Sequence, residues 1–277
     1  MLPWKNTNQR TELMDNTIFT IITILLYFAI AGYQFLLLKN HDDSHALKLA
    51  LITTLPLLCH GWLLHLSIDT EHGQNLSIFN IVSMIFWIIS SLVIASSITR
   101  KLGILVTALL PLSGLTLLAS HYLTKESLID VSAPAFLIHT LISIATISVI
   151  SLVAIQSLFV NVLDNRLKQN SSQSIQGMPA LQDMENFLFI LIWIGFTLLS
   201  FLILTAIFFM PQTGAEISLH KPILSIASWI TFAILLIGRH KNGWRGKMAS
   251  RWAIAGFIFI FLAYFGTKAV LELILGR

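Results

Sequence analysis

The stretch LSIFNIVSMIFWIISSLVIASSI, residues 76–98, contains no charged side chain and is long enough to span a membrane. A helix needs roughly 20 apolar residues to cross a hydrocarbon core about 30 Å thick. Seven further runs of this kind flank it, at residues 17–38, 46–66, 102–122, 134–161, 184–210, 222–238 and 249–275. The sequence therefore predicts an all-α, polytopic membrane helix bundle of about eight transmembrane helices. The run at 222–238 is the shortest of them.

The composition favours the same class of protein. Charged residues make up 11% of the chain and hydrophobic residues 56%, whereas soluble domains are about 25% charged. The net charge of +4 does not indicate nucleic-acid binding, because the basic residues lie in short loops between apolar runs. We therefore predict the lipid bilayer as the main partner and no nucleic-acid partner.

The chain is predicted to form one transmembrane domain over residues 17–277, preceded by a short polar tail at residues 1–16. The first apolar run is too long for a signal-peptide core and lacks a small-residue cleavage site, so we expect it to be retained. Pro134 and Pro222 lie where two helices are expected to begin, since proline is tolerated in a first turn.

The distribution of lysine and arginine predicts the orientation. Loops after the first, third, fifth and seventh helices contain eleven of these residues: Lys39, Lys48, Arg100, Lys101, Arg166, Lys168, Arg239, Lys241, Arg245, Lys247 and Arg251. The opposite side has five: Lys5, Arg10, Lys125, Lys221 and Arg277. Because basic loops stay in the cytoplasm, both termini are predicted to lie outside, an N-out/C-out topology.

Histidines concentrate on the predicted outer side. Six of the nine fall there: His60, His65, His72, His121, His139 and His220. Helical rise places His60 roughly 9 Å and His139 roughly 7.5 Å below the outer surface, on different helices. An ionisable side chain facing lipid is unfavourable, and a polar stripe of Ser143, Thr146 and Ser157 follows His139 at helical spacing. The stripe predicts that His139 faces the bundle interior.

Two imidazoles at one depth suit axial ligation of haem iron, which would make His60 and His139 cofactor ligands. The competing interpretation is that each is a buried histidine hydrogen-bonded to a neighbouring helix. Gln74 and Asn75 open the third helix on the same side. They are candidates to contact the polar edge of a bound ligand, while Asn75 or Ser77 capping the helix is the structural alternative.

Other residues narrow the function classes. No Walker loop, nucleotide fingerprint, catalytic triad order or His-Glu-x-x-His motif occurs in the sequence. This argues against an ATPase, a dehydrogenase or a zincin, and we expect a protein without enzymatic activity. Cys59 is the single cysteine, which excludes an internal disulfide framework. Lys268 and Glu272 are four residues apart on the last helix, and we expect a structural ion pair in preference to a proton relay.

Several motifs resemble those of the cytochrome c assembly family of CcsA and HemX type, and within it the YpjD-like inner-membrane proteins. They are Cys59-His60, GQNLSIFN at 73–80, LIH at 137–139, MP at 178–179, SIASW at 225–229, GWRG at 243–246 and AYFGTK at 263–268. The resemblance covers nearly the whole chain after the tail, in conserved order. It implies a multi-pass protein of the bacterial inner (plasma) membrane that handles haem, with His60 and His139 matching family histidines.

The resemblance also has departures. The tryptophan-rich, aspartate-terminated segment of the full synthetases is expected between helices six and seven, where this chain has MPQTGAEISLH at 210–220. A second outward histidine expected after helix eight is not found either. His220 is the one candidate in this region for an outer ligand, without motif support.

The leading functional hypothesis is therefore a protein that binds b-type haem and takes part in haem handling or cytochrome complex assembly. Its expected partners are haem and other cytochrome assembly or membrane proteins. One alternative is a small-solute or ion transporter, which would use the intramembrane histidines with Lys268 and Glu272. Another is a non-catalytic assembly or regulatory partner that uses the basic loop at 239–251.

Overall fold

The computed structural model describes residues 4–40, 46–70, 73–125, 127–129, 134–169, 181–209 and 220–269. Eight α-helices lie in these ranges: α1 Trp4–Lys39, α2 Ala46–Ile68, α3 Ile78–Ser97, α4 Gly103–Leu123, α5 Pro134–Gln169, α6 Leu181–Phe209, α7 His220–Asn242 and α8 Gly246–Ala269. Each contains a segment long and apolar enough to cross a membrane. The predicted all-α, polytopic architecture is confirmed, and α7 has 23 residues although the apolar run that predicted it is the shortest.

Several helices extend beyond the apolar runs that predicted them. The backbone of α1 is helical from Trp4, so most of the predicted tail is helix, and α5 continues past residue 161 to Gln169. These extensions are rich in polar residues such as Lys, Arg, Gln and Glu, which form helices well in water. The apolar run ends where the helix leaves the hydrocarbon region, but the helix itself continues.

The helices fall into two compact units, residues 1–130 and 131–277. In the first unit α1 packs against α2, α2 against α3, α3 against α4 and α4 against α1. In the second unit α5, α6, α7 and α8 repeat this closed order. Each unit is thus a four-helix arrangement with its own interior, where Tyr27 and Ile89 are fully buried in the first and Ile147 and Leu188 in the second.

The outward faces of the helices remain apolar, as expected for lipid contact. Leu58 is 70% exposed and Leu25 is 62% exposed, although both belong to membrane-spanning segments. In water such surfaces would be unfavourable, whereas lipid tails solvate them.

A small antiparallel sheet, not predicted from the sequence, closes one end of the first unit. Its strands are β1 Asp69–Thr70, β2 Gly73–Asn75 and β3 Leu128–Ile129, in the order β1-β2-β3. Gln74 pairs with Asp69 on one side and with Ile129 on the other. The sheet therefore joins the connection after α2 to the connection after α4, next to the start of α3.

Helices α7 and α8 approach closely at Gly256. The Ser228 hydroxyl donates a hydrogen bond of 2.8 Å to the Gly256 carbonyl. A methyl group at Gly256 would lie 2.8 Å from two ring atoms of Phe232, a side chain that is 1% exposed. The absence of a side chain at this position thus sets how near the two helices lie.

Gly256→Ala is therefore expected to destabilise the protein by about 1–3 kcal/mol, the usual range for overpacking. Gly266→Ala is the matched control on the same helix, because no described atom lies within 4 Å of the added methyl group. Unfolding in detergent, followed by circular dichroism against temperature, compares the two variants. Equal behaviour of both would contradict the close approach at Gly256.

Candidate functional site

His60 lies at the centre of the first unit and is 0% exposed. Its Nδ1 is 3.1 Å from the Tyr27 hydroxyl, and its Nε2 is 2.9 Å from the Ser83 hydroxyl. Tyr27 belongs to α1, His60 to α2 and Ser83 to α3. The imidazole thus joins three helices, and both ring nitrogens have a hydroxyl partner within the unit.

This geometry bears on iron binding at His60. A histidine that ligates a metal through one nitrogen normally holds its other nitrogen in a hydrogen bond, which fixes the ring. The Tyr27 hydroxyl on Nδ1 meets that condition. Ligation through Nε2 requires the Ser83 hydroxyl to give up its hydrogen bond. His60 can therefore bind haem iron through Nε2 only if the iron replaces the Ser83 hydroxyl there.

His139 lies in the second unit, near the start of α5, and is partly buried. Its Nδ1 is 2.9 Å from the Thr205 hydroxyl on α6, and that hydroxyl also donates a hydrogen bond of 2.9 Å to the Leu202 carbonyl. A hydroxyl has one proton to donate. The Thr205 oxygen must therefore accept from His139, which places the imidazole proton on Nδ1.

The tautomer leaves Nε2 of His139 with an unshared electron pair. Among the residues that the structure describes, no hydrogen-bond partner lies on this nitrogen. A neutral imidazole whose Nδ1–H is held and whose Nε2 is bare is the form that binds metal ions. As it stands, His139 would therefore be able to hold haem iron through Nε2. The stripe that follows it is buried as predicted, with Ser143 7% exposed and both Thr146 and Ser157 fully buried.

Gln74 and Asn75 lie in strand β2, where their side chains bond within the unit. The Gln74 amide donates to the Asp69 carboxylate at 3.1 Å, and the Asn75 side-chain oxygen accepts from the Ser127 backbone N–H at 3.1 Å. Ser77 is the N-cap of α3 and accepts from the Asn80 backbone N–H, which confirms the capping prediction for Ser77. In this structure the amides of Gln74 and Asn75 stabilise the small sheet.

Asn80, in the first turn of α3, is a key polar residue that the sequence analysis missed. Its side-chain oxygen accepts hydrogen bonds from three hydroxyls: Ser67 at 3.0 Å, Ser120 at 2.7 Å and Thr124 at 3.0 Å. Its side-chain nitrogen donates to the backbone carbonyls of Asn75 and Ser67. Asn80 is fully buried. The signal available in the sequence was an asparagine near the start of an apolar run, with serines at the ends of neighbouring runs.

The remaining candidates are dispersed. His65 pairs with the Asp69 carboxylate on an exposed surface, and the His121 ring bonds to the Thr17 hydroxyl at 3.1 Å. His72 and Glu272 lie outside the described residues, as do the side chains of His220 and Lys268. The predicted Lys268–Glu272 pair therefore stays a prediction. The described residues contain no group of three or more His, Cys, Asp or Glu side chains arranged to hold a metal ion.

Comparison with known proteins decides the family. The family model described as "Cytochrome C assembly protein" matches residues 48–275, most of the chain. The chain belongs to the cytochrome c assembly family. This family member is 28% identical over 231 residues to the inner membrane protein YpjD of Escherichia coli K12, covering 82% of this chain and 88% of YpjD. YpjD of Escherichia coli O157:H7 matches equally.

The cytochrome c assembly family member also matches an uncharacterised 28.8 kDa protein of Azospirillum brasilense, at 28% identity over 142 residues, half of each chain. No solved structure matches it. The family prediction made from the motifs is confirmed. The predicted location in a bacterial inner membrane is also confirmed, given the eight spans and the location of YpjD.

Proposed function

We propose that this cytochrome c assembly family protein binds b-type haem and hands it on during cytochrome assembly, with His60 and His139 as iron ligands. The haem would be held without covalent bonds to the chain, because Cys59 is the single cysteine and thioether attachment uses a Cys-x-x-Cys-His motif. When bound, haem supplies the redox and ligand-exchange chemistry of its iron. The protein supplies the imidazoles and an apolar surrounding.

The single observation that carries the proposal is the state of His139. Thr205 holds its Nδ1 and leaves Nε2 bare on a partly buried ring, a polar group that lacks a described partner in a membrane-spanning helix. Ionisable side chains within membrane-spanning segments are costly and commonly mark functional sites, which supports a ligand at this nitrogen. His60 supports the proposal through Tyr27, which holds its Nδ1 as a ligating histidine requires.

Replacing His139 by alanine is expected to lower the haem content of the purified protein at least fivefold. Replacing Thr205 by valine should weaken haem binding about 10–100-fold, the usual effect of losing the hydrogen bond that orients a ligating histidine. The pyridine haemochrome spectrum, normalised to folded protein by size-exclusion chromatography, measures both. His121→Ala is the matched control, because His121 is a membrane-helix histidine already bonded to Thr17 through Nε2.

Two results would contradict the proposal. The first is a wild-type protein that folds normally yet is purified without haem from haem-replete cells. The second is a His139→Ala variant with the same haem content per folded molecule as His121→Ala.

A further inference from the structure

One end of the second unit contains a cavity of about 580 Å³, within the range of small-molecule sites. It lies where α5 ends and where α6 and α8 begin. Its walls include Asp164, Gln182, Glu185, Arg245, Lys247 and Met248. The loop between α7 and α8 contributes to it, so the lysine and arginine count predicts that it faces the cytoplasm.

The cavity lies at the ends of three membrane-spanning segments. The membrane-spanning segments of α5, α6 and α8 have their ends at Asn165, Leu181 and Gly246. Asp164, Leu181 and Gly246 themselves line the cavity. A pocket built from three span ends opens at the boundary between hydrocarbon and water, where lipid headgroups are found.

Charges of both signs line this cavity, and Glu185 is not paired with either basic residue of the wall. Glu185 is 7% exposed, whereas Arg245 and Lys247 are exposed. Within the part of the chain that the structure describes, neither basic residue forms an ion pair with Glu185. The described helices α7 and α8 contain no acidic residue at all, so the carboxylates come from α5 and α6 alone.

The carboxylates are held in place by the start of α8. The Gly246 backbone N–H donates a hydrogen bond of 2.7 Å to Glu185 Oε1. Gly246 has a φ of 56°, a left-handed conformation that favours glycine. A Cβ built on it would lie 3.6 Å from Glu185 Oε1 and 3.9 Å from Asp164 Oδ2. The carboxylates of Glu185 and Asp164 therefore both lie close to Gly246.

We propose that this cavity binds the headgroup of an aminophospholipid, with its phosphate diester on Arg245 and Lys247 and its primary ammonium on Glu185. Guanidinium and ammonium side chains bind phosphate through charge-assisted hydrogen bonds. A primary ammonium donates three hydrogen bonds to carboxylates, which the quaternary ammonium of a choline headgroup cannot do. Met248, 43% exposed beside the pocket, offers apolar contact to the start of the acyl chains. This site is independent of haem binding.

The test measures binding of short-chain lipids to the full-length protein in detergent by microscale thermophoresis. Dihexanoyl phosphatidylethanolamine is expected to bind at least tenfold more tightly than the phosphatidylcholine or phosphatidylglycerol of the same chain length. Soluble glycerophosphoethanolamine, which has the headgroup without the chains, is expected to bind more weakly. Equal affinities for the three lipids, or for lipid and soluble headgroup, would overturn the proposal.

Two variants test the acidic part and the basic part of the cavity separately. Glu185→Gln keeps the oxygen that accepts from Gly246, so the helix start is preserved, and it should reduce the preference for phosphatidylethanolamine over phosphatidylglycerol at least fivefold. Lys247→Gln should weaken the binding of phosphatidylethanolamine and of phosphatidylglycerol by the same factor. Asp183→Asn and Lys241→Gln are matched exposed controls outside the cavity wall. An unchanged lipid preference in Glu185→Gln would also overturn the proposal.

Discussion

Replacing Asn80 by leucine is expected to destabilise the first unit by roughly 3 kcal/mol. The amide of Asn80 makes five side-chain hydrogen bonds, three as acceptor and two as donor. Hydrogen bonds between membrane helices contribute on average about 0.6 kcal/mol each in double-mutant cycles. Leucine removes all five and leaves the hydroxyls of Ser67, Ser120 and Thr124 without this shared acceptor.

The effect should be confined to the end of the unit where Asn80 lies. Asn80 bonds to the hydroxyls at the ends of α2 and α4 and to the Asn75 carbonyl in strand β2. Its loss releases the small sheet from the start of α3. Hydrogen exchange of residues 69–70, 73–75 and 128–129 should therefore become faster, while exchange in the second unit stays unchanged.

Asn161→Leu is the matched control for this prediction. Asn161 also lies in a membrane-spanning helix, but its buried side-chain oxygen has no hydrogen-bond partner in the described structure. Burying an unsatisfied amide is unfavourable, so leucine there is expected to leave stability unchanged or to raise it. Steric trapping in bicelles measures both variants as free energies of unfolding. A loss at Asn161 equal to the loss at Asn80 would contradict the role of the network.

The positions of the helices could be predicted from the sequence because the bilayer imposes one requirement on every span. Backbone polar groups in hydrocarbon must bond within the segment, so an apolar run of sufficient length forms a helix whatever it packs against. Even the shortest apolar run, at 222–238, is helical and lies within α7. The helix ends were predicted less well, because polar residues continue α1 and α5 beyond the apolar region.

The partners of the site residues could not be predicted, since they come from distant parts of the chain. Thr205 lies 66 residues from His139, and Tyr27 lies 33 residues from His60. Helical spacing shows which residues share a face of one helix, but not which neighbouring helix that face meets. The sequence identifies the two histidines because ionisable side chains are rare in apolar runs. The hydroxyl groups that bond to them can be identified only from the tertiary structure.

The three-helix contact around His60 yields the second large expected effect. His60→Ala is expected to lower haem content at least fivefold and to change the absorption spectrum and spin state of the haem that remains. The reason is that the alanine variant has no imidazole Nε2 to bind the iron. Optical and electron paramagnetic resonance spectra of the purified variant measure the change, and haem is normalised to folded protein.

Variants of Ser83 and Tyr27, the two hydroxyl partners of His60, distinguish an iron-binding histidine from a purely structural one. Ser83 competes with iron for Nε2, so Ser83→Ala should leave haem content unchanged or raise it. Tyr27 positions the ring through Nδ1, so Tyr27→Phe should weaken haem binding about 10–100-fold while the spectrum at saturating haem stays that of the wild type. A structural histidine predicts a different result, in which both variants lower stability and neither changes haem affinity per folded molecule. Loss of haem in Ser83→Ala as large as in His60→Ala would exclude ligation through Nε2.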